Sequence, residues 1–482
     1  MSATPPLRLA SAEGRWTIAA TVLGSAAVFL ESTVVSVALP AIGRDLSLGV
    51  AGLQWIVNGY LITLSALLLL GGALGDAWGQ KRAFGVGLLV FAAGSVVTAL
   101  APTFPLLIAA RVVQGAAGAL LVPTSLAYLD TAFAAEDRNE AIGVWAAWSA
   151  VSTAVGPVLG GVIIDNVSWR WVFASVVPLA LAASWIARSR APDRPRPAPR
   201  RVDAVGAVLI SAGLGAVVWA LIEGSSRGPT ADIVIVGTLG LVLGLAFFWF
   251  EARSPTPLLP MGMFRSRQFA GANATTLLVY AALGALFFFL MVQLQAVMGY
   301  SGLAAGASLL PINVLMLALS PPAGRWAERA GPRVPLAIGA ALAGAGLALM
   351  SRVGPGSDYG TDLLPAVVVF GSGLGLLVAP LTSAVLAAAE SGRTGVASGV
   401  NNAIARLAGL LATTLLPLIV GIGGLEDVAS PVFVAGFRRA MWIAAGLCVA
   451  ASGVAWLTVR EGAAVAPAPH PSPTQACARH RA

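Results

Sequence analysis

Trp16–Pro40 reads WTIAATVLGSAAVFLESTVVSVALP, a hydrophobic run long enough to cross a bilayer with one ionisable residue, Glu31, deep inside it. A helix needs about 20 apolar residues to span the hydrocarbon, so this stretch is expected to be a membrane helix. A charge at that depth costs roughly 2.5–3.5 kcal/mol or more, so the carboxylate must be paired, protonated or in contact with water. An intramembrane acid is a candidate proton or cation site.

The rest of the chain follows the same pattern. Of 482 residues, 57% are hydrophobic and 10% charged, and the mean hydropathy is +0.85. That composition describes a polytopic membrane protein. The apolar runs do not alternate, so helices are expected rather than a β-barrel. Spans are expected near 16–40, 49–71, 83–101, 105–129, 140–164, 169–187, 204–223, 231–250, 269–293, 303–323, 334–352, 363–388, 395–421 and 434–459. The first is too long for a signal peptide and should remain as an anchor.

Charge sets the orientation. Of the 29 Lys and Arg residues, Arg111 and Arg406 lie deep within spans. With the N-terminus inside, twenty-one of the rest fall in cytoplasmic segments and six in outer loops or the outer ends of the spans beside them. Both termini are therefore expected in the cytoplasm. The net charge of +8 reflects this loop bias, not a nucleic-acid surface. Arg outnumbers Lys 28 to 1, which suggests a bacterial genome rich in G and C. Cys448 lies in a span and Cys477 in the tail, so no disulfide framework is expected. No P-loop accompanies the only lysine, Lys81, and both histidines lie in the tail. ATP-driven pumping, a His-based metal site and any cofactor are therefore not expected.

The expected organisation begins with an N-tail (1–15) and a six-helix bundle (16–187). A Pro- and Arg-rich cytoplasmic linker (188–203), two extra helices (204–250) and a cytoplasmic loop (251–268) follow. A second six-helix bundle (269–460) and a low-complexity tail (461–482) complete the chain. Two turns echo one another. Gly72-Ala-Leu-Gly-Asp76-Ala-Trp-Gly79-Gln-Lys81-Arg82 follows span two, and Gly324-Arg-Trp-Ala-Glu328-Arg329-Ala-Gly331 follows span ten. Such an echo fits a transporter built from two related halves. In the first turn the glycines permit close approach, and Asp76 can accept from a neighbouring helix N-terminus. Lys81 and Arg82 are expected to pair with Asp130, or else to serve only as cytoplasmic anchors.

Depth arithmetic joins two buried charges. Glu31 lies nine residues before Pro40, about 13 Å from the outer end of its helix. Arg111 lies six residues after Pro105, about 9 Å from the outer end of span four. A direct or water-mediated Glu31–Arg111 interaction, functional or merely structural, satisfies both. Gly156-Pro157 and Gly160-Gly161 in span five suit either a closing seam between halves or ordinary small-residue packing. Gln54, Asn58, Gln114, Trp145, Trp148, Asn273, Tyr280, Gln293, Asn313, Asn401 and Asn402 are polar or aromatic cavity candidates. Helix-to-helix bonding explains each of them equally well.

Several of these segments resemble the motifs of the major facilitator superfamily, in its fourteen-span drug:proton antiporter branch. The 72–82 turn resembles the loop-2/3 signature. Glu31-Ser-Thr-Val-Val-Ser-Val-Ala-Leu-Pro40, Gln54-Trp55-Ile-Val-Asn58-Gly-Tyr60 and Arg111-Val-Val-Gln114-Gly115 resemble the motifs of spans one, two and four. Gly156-Pro157-Val-Leu-Gly160-Gly161 resembles the antiporter motif of span five, and Trp169-Arg170-Trp171-Val-Phe173 the start of span six. Arg406 also resembles a family position and is given no substrate role. The chain departs from the family pattern at Glu31 for Asp, Ser36 for Asn, Ala77 and Gln80 for basic residues, and Val176 for Asn.

The resemblance implies an all-α major facilitator fold of two six-helix bundles plus two additional central helices. It implies a monomer in the bacterial plasma membrane that exports small amphipathic or cationic compounds against protons. Glu31 and Arg111 would be the coupling pair, 72–82 with Asp130 a cytoplasmic gate and 156–161 a hinge. Proton-coupled uptake and a non-transport receptor are the competing readings.

Overall fold

The computed structural model describes residues 6–192, 203–254, 257–259, 261–388, 394–422 and 430–459. The middle of the expected linker (193–202) and the tail (461–482) lie outside them. Among the described residues, fourteen helices are long and apolar enough to cross a membrane. They are α1 (Ala12–Asp45), α2 (Val50–Trp78), α3 (Gln80–Leu100), α4 (Phe104–Ala132), α5 (Ala135–Asn166), α6 (Arg170–Ser189) and α7 (Ala204–Arg227). The second seven are α8 (Ala231–Glu251), α9 (Arg267–Val297), α10 (Gly302–Ala330), α11 (Arg333–Met350), α12 (Tyr359–Ala387), α13 (Thr394–Ile419) and α14 (Pro431–Thr458). No strand occurs among the described residues beyond an isolated bridge between Leu7 and Phe133.

Several helices outrun their apolar cores, because intrahelical hydrogen bonding continues past the hydrocarbon edge. Span five, expected at 140–164, occupies Ala135–Asn166, and span two continues to Trp78. Two irregularities carry no sequence signal: π turns at Gln293–Val297 and Tyr359–Leu363.

Helices α1–α6 pack on one another, as do α9–α14, while α7 and α8 form a hairpin against α2 and α13. Lipid offers no hydrophobic drive between helices, so close crossings rely on small residues. A Cβ at Gly71 would lie 2.1 Å from the Ala119 carbonyl oxygen, and one at Gly115 would lie 2.2 Å from that of Tyr60. Any side chain there would wedge α2 from α4.

The sequence echo is also a structural one. Gly79 breaks α2 from α3 at φ 91° and Gly331 breaks α10 from α11 at φ 86°. Both angles lie where a Cβ is strained. These turns lie at the Asp76 end of the bundle, and the α5–α6 and α9–α10 turns lie at the opposite, Asp165 end.

Candidate functional site: a buried ion pair beside an interbundle seam

Glu31 lies mid-helix in α1 and Arg111 in the first half of α4, and the fold brings them together. Arg111 Nη1 donates to Glu31 Oε1, with the two side chains 2% and 0% exposed. Arg111 is further fixed by Nε donating to the Ile56 carbonyl (3.1 Å) and Nη1 donating to Gln114 Oε1 (3.1 Å). Gln114, one turn on, is itself held by donating to Ser95 Oγ (2.8 Å) and accepting from Thr98 Oγ1 (3.2 Å). The Tyr60 ring lies 4.5 Å from the guanidinium carbon. The cation is thus well satisfied. The carboxylate is not: Glu31 Oε2 is buried and accepts no hydrogen bond. A buried pair of this kind contributes little net stability, yet removing one partner costs about 3–5 kcal/mol.

The two bundles meet along a bonded seam. Gln54 Nε2 donates to the carbonyls of Thr413 (2.8 Å) and Thr414 (3.2 Å). Asn58 Nδ2 donates to Thr414 Oγ1 (3.0 Å), and Thr413 Oγ1 donates to Asn58 Oδ1 (2.5 Å). Gln295 Nε2 donates to the Val37 carbonyl (2.9 Å). At the rim, the Asp165 carboxylate accepts from the backbone N–H groups of Gly302 and Leu303, each at 2.8 Å. All of these contacts lie in the half of the bundle nearer the Asp165 end.

The 156–161 segment divides its work between two neighbours, within a helix that runs unbroken through Pro157. Gly156 and Gly160 face α1: a Cβ at Gly156 would sit 2.0 Å from Thr33 Oγ1, and one at Gly160 would sit 2.8 Å from Val34 Cγ1. Gly161 and Pro157 face α10. A Cβ at Gly161 would lie 2.4 Å from both the Gly302 carbonyl oxygen and Leu303 Cα, and one at Gly306 would lie 2.1 Å from the Pro157 carbonyl oxygen. Backbone meets backbone there, with no side chain able to yield.

At the Asp76 end, Gln80 Nε2 donates to Asp76 Oδ1 (2.7 Å), so the amide that replaces an expected basic residue bonds the aspartate instead. Gly72 and Gly79 frame this turn. Lys81 Nζ donates to the Ala191 carbonyl (2.6 Å), and Arg82 is exposed. The expected pairing of Lys81 and Arg82 with Asp130 is corrected: Asp130 pairs with Arg138 at 3.6 Å, both substantially exposed. Arg138 lies only eight residues away across the α4–α5 turn, which makes it the more accessible partner.

The remaining candidates scatter. Trp145 Nε1 donates to Ser25 Oγ (2.8 Å) and packs edge-on against Phe29. Trp148 is 55% exposed. Gln293 is buried and donates to the Val353 carbonyl (3.3 Å), a bond within its own bundle. Asn401 Nδ2 donates to Thr276 Oγ1 (2.6 Å) and Asn273 Oδ1 (3.1 Å), whereas exposed Asn402 bonds only its own helix at Ser398. Tyr280 and Asn313 are half-buried. Thr413, Thr414, Asp165 and Gln295 were not distinguishable in the sequence, because isolated hydroxyls and loop acids carry no motif. A pocket of about 410 Å³ lined by Val297, Pro355, Pro431, Val434, Ala435 and Arg438 involves none of the candidates.

Two helical bundles, a charge pair in the membrane interior and a seam bonded at one end together define the architecture of a secondary transporter. Residues 21–413 match the family model of the Major Facilitator Superfamily. The tetracenomycin C resistance and export protein of Streptomyces glaucescens is 36% identical over 409 residues, covering 84% of this chain and 75% of that protein. The puromycin resistance protein pur8 of Streptomyces alboniger is 34% identical over 406 residues, covering 83% and 80%. The crystal structure of the POT family transporter PepTSo has a TM-score of 0.69 at 14% identity, covering 92% of this chain and 97% of that one. That likeness concerns the fold. The chain belongs to the major facilitator superfamily, and it is a multi-pass membrane transporter rather than an enzyme.

Proposed function

We propose that this transporter is a proton-coupled exporter of small amphipathic compounds, acting as a monomer in a bacterial plasma membrane. The observation that carries the proposal is the Glu31–Arg111 pair. It is a titratable group held in the membrane interior by a partner that protonation would release. Relatives named for antibiotic resistance and export support the direction of transport.

Loop charge assigns the Asp76 end and both termini to the cytoplasm. On that assignment the bonded seam closes the outer side in this conformation. Export then alternates two states. Opening outward requires the Gln54–Asn58–Thr413–Thr414 bonds and the Asp165 contacts to part. Glu31 takes a proton there, loosening its hold on Arg111 as substrate leaves. Return to the present state re-forms the pair and gives the proton to the cytoplasm.

Inverted vesicles from an efflux-deficient host test this with ethidium, pyronin Y and fluorescein. At least one dye should accumulate when the vesicle interior is acidified and leak out when a protonophore is added. Accumulation driven only by the opposite gradient would indicate uptake by symport, and no proton-dependent movement of any dye would sink the proposal. The orientation has its own check: a single cysteine at Pro197, with Cys448 and Cys477 replaced, should label with an impermeant thiol reagent in inverted vesicles. Labelling confined to right-side-out vesicles would reverse it.

A further inference from the structure

Helix α13 carries one charged residue, Arg406, near its midpoint. It lies seven residues before Thr413, so it shares the face of α13 that bonds α2, about 10 Å farther toward the Asp76 end. Among the described residues no interbundle hydrogen bond occurs at that level. The guanidinium instead lies over the Phe29 ring of the opposite bundle, 5.8 Å from its centroid, and Phe29 packs edge-on with Trp145 at 6.3 Å.

The contrast with Arg111 is chemical. Arg111 has a carboxylate, a carbonyl and an amide oxygen around it. Arg406 is half-buried and, among the described residues, has neither a carboxylate within 4.0 Å nor a hydrogen-bond acceptor. The acid on the facing stretch of α1, Glu31, is already committed to Arg111 and fully buried. A cation at mid-depth without an anion is costly, so a residue of this kind marks a substrate path. Its planar fork suits a carboxylate or phenolate, and the neighbouring rings suit a flat aromatic body.

We propose that Arg406, with Phe29 and Trp145, forms the head-group site for an anionic aromatic substrate, a planar carboxylic acid or phenolate. This rests on the transporter reading above and replaces the cationic substrate expected from sequence. Glu31 serves the proton, and Arg406 serves the cargo.

Binding in detergent, with no membrane and no gradient, separates this site from the coupling mechanism. Fluorescein and pyronin Y share a xanthene ring but carry opposite charge at mildly alkaline pH. Titration of purified protein, followed by dye anisotropy, should show fluorescein bound more tightly. Arg406→Gln should weaken fluorescein roughly tenfold or more, the worth of a charge-assisted hydrogen bond, and leave pyronin Y unchanged or tighter. Arg406→Lys, which keeps the charge, should recover most of the affinity. Equal fluorescein binding by wild type and Arg406→Gln, a wild-type preference for pyronin Y, or no fluorescein binding at all would each overturn the assignment. Matching elution profiles and melting temperatures for the three proteins exclude misfolding as the cause. A failure of proton coupling in vesicles would leave this result standing.

Discussion

Glu31→Gln will abolish uphill efflux while leaving downhill exchange. Glutamine keeps the shape and one acceptor oxygen but cannot bind a proton at any working pH. The variant should fold, because Arg111 retains the Ile56 carbonyl, Gln114 and the Tyr60 ring around it. Arg111 is left without a counter-ion, a change that costs up to about 3–5 kcal/mol in a buried pair and that the glutamine oxygen offsets in part. The seam that alternates is built from other residues, so substrate should still run down its own gradient. The driving force depends on the cargo. One proton exchanged for a monovalent cation moves no net charge, and exchange for a neutral compound moves one. Exchange for the monoanion proposed above moves two, so each 100 mV would add about 4.6 kcal/mol. Efflux from proteoliposomes with pH and voltage clamped separately measures both effects. Wild type should respond to both gradients, and Glu31→Gln should concentrate nothing in response to a pH gradient alone, since any anion movement that survives follows voltage only. Concentration by the variant in response to a pH gradient would place the proton carrier elsewhere.

Much of this architecture is visible in the chain itself, for reasons that differ by element. The spans are legible because lipid leaves a helix no alternative to long apolar runs. The nearness of Glu31 and Arg111 follows from depth, since two buried charges at one level of a small bundle have few other partners. The antiporter-like glycines are legible as a set, but not in their division between α1 and α10. That division depends on a rotation of about 100° per residue and on which helix lies alongside. The seam itself is silent in sequence. Asn58 and Thr413 are 355 residues apart, and neither stands out from the many Asn and Thr residues that merely bond within their own helices. Asp130 pairs with Arg138, a partner that charge complementarity alone does not single out because it ignores distance along the chain. Arg406 looks like any intramembrane arginine until the structure shows that Arg111 has a counter-ion and that Arg406, among the described residues, has none.

Gly161→Val should stop turnover by preventing the seam at the Asp165 end from closing. The new Cβ would lie 2.4 Å from the Gly302 carbonyl oxygen and from Leu303 Cα, and no rotamer can move backbone atoms aside. Relief requires α5 and α10 to separate, which also pulls Asp165 from the Gly302 and Leu303 N–H groups. Overpacking costs about 1–3 kcal/mol at a single site, and the lost charge-assisted bonds add to it. A penalty near 2.7 kcal/mol, borne by the state with this seam closed, shifts the equilibrium about a hundredfold toward the form with it open. Spin labels at Asn166 and Ala304, in a chain without Cys448 and Cys477, report the gap directly. The label distance should lengthen in Gly161→Val, and transport should fall by about two orders of magnitude. Gly143→Val in the same helix is the control, because a Cβ there meets nothing within 4 Å. It carries the same β-branched residue and the same change in helix propensity, so normal activity in the control assigns the defect to the seam. Normal turnover in Gly161→Val with an unchanged label distance would show that the two backbones part without cost. The 156–161 segment would then be packing alone.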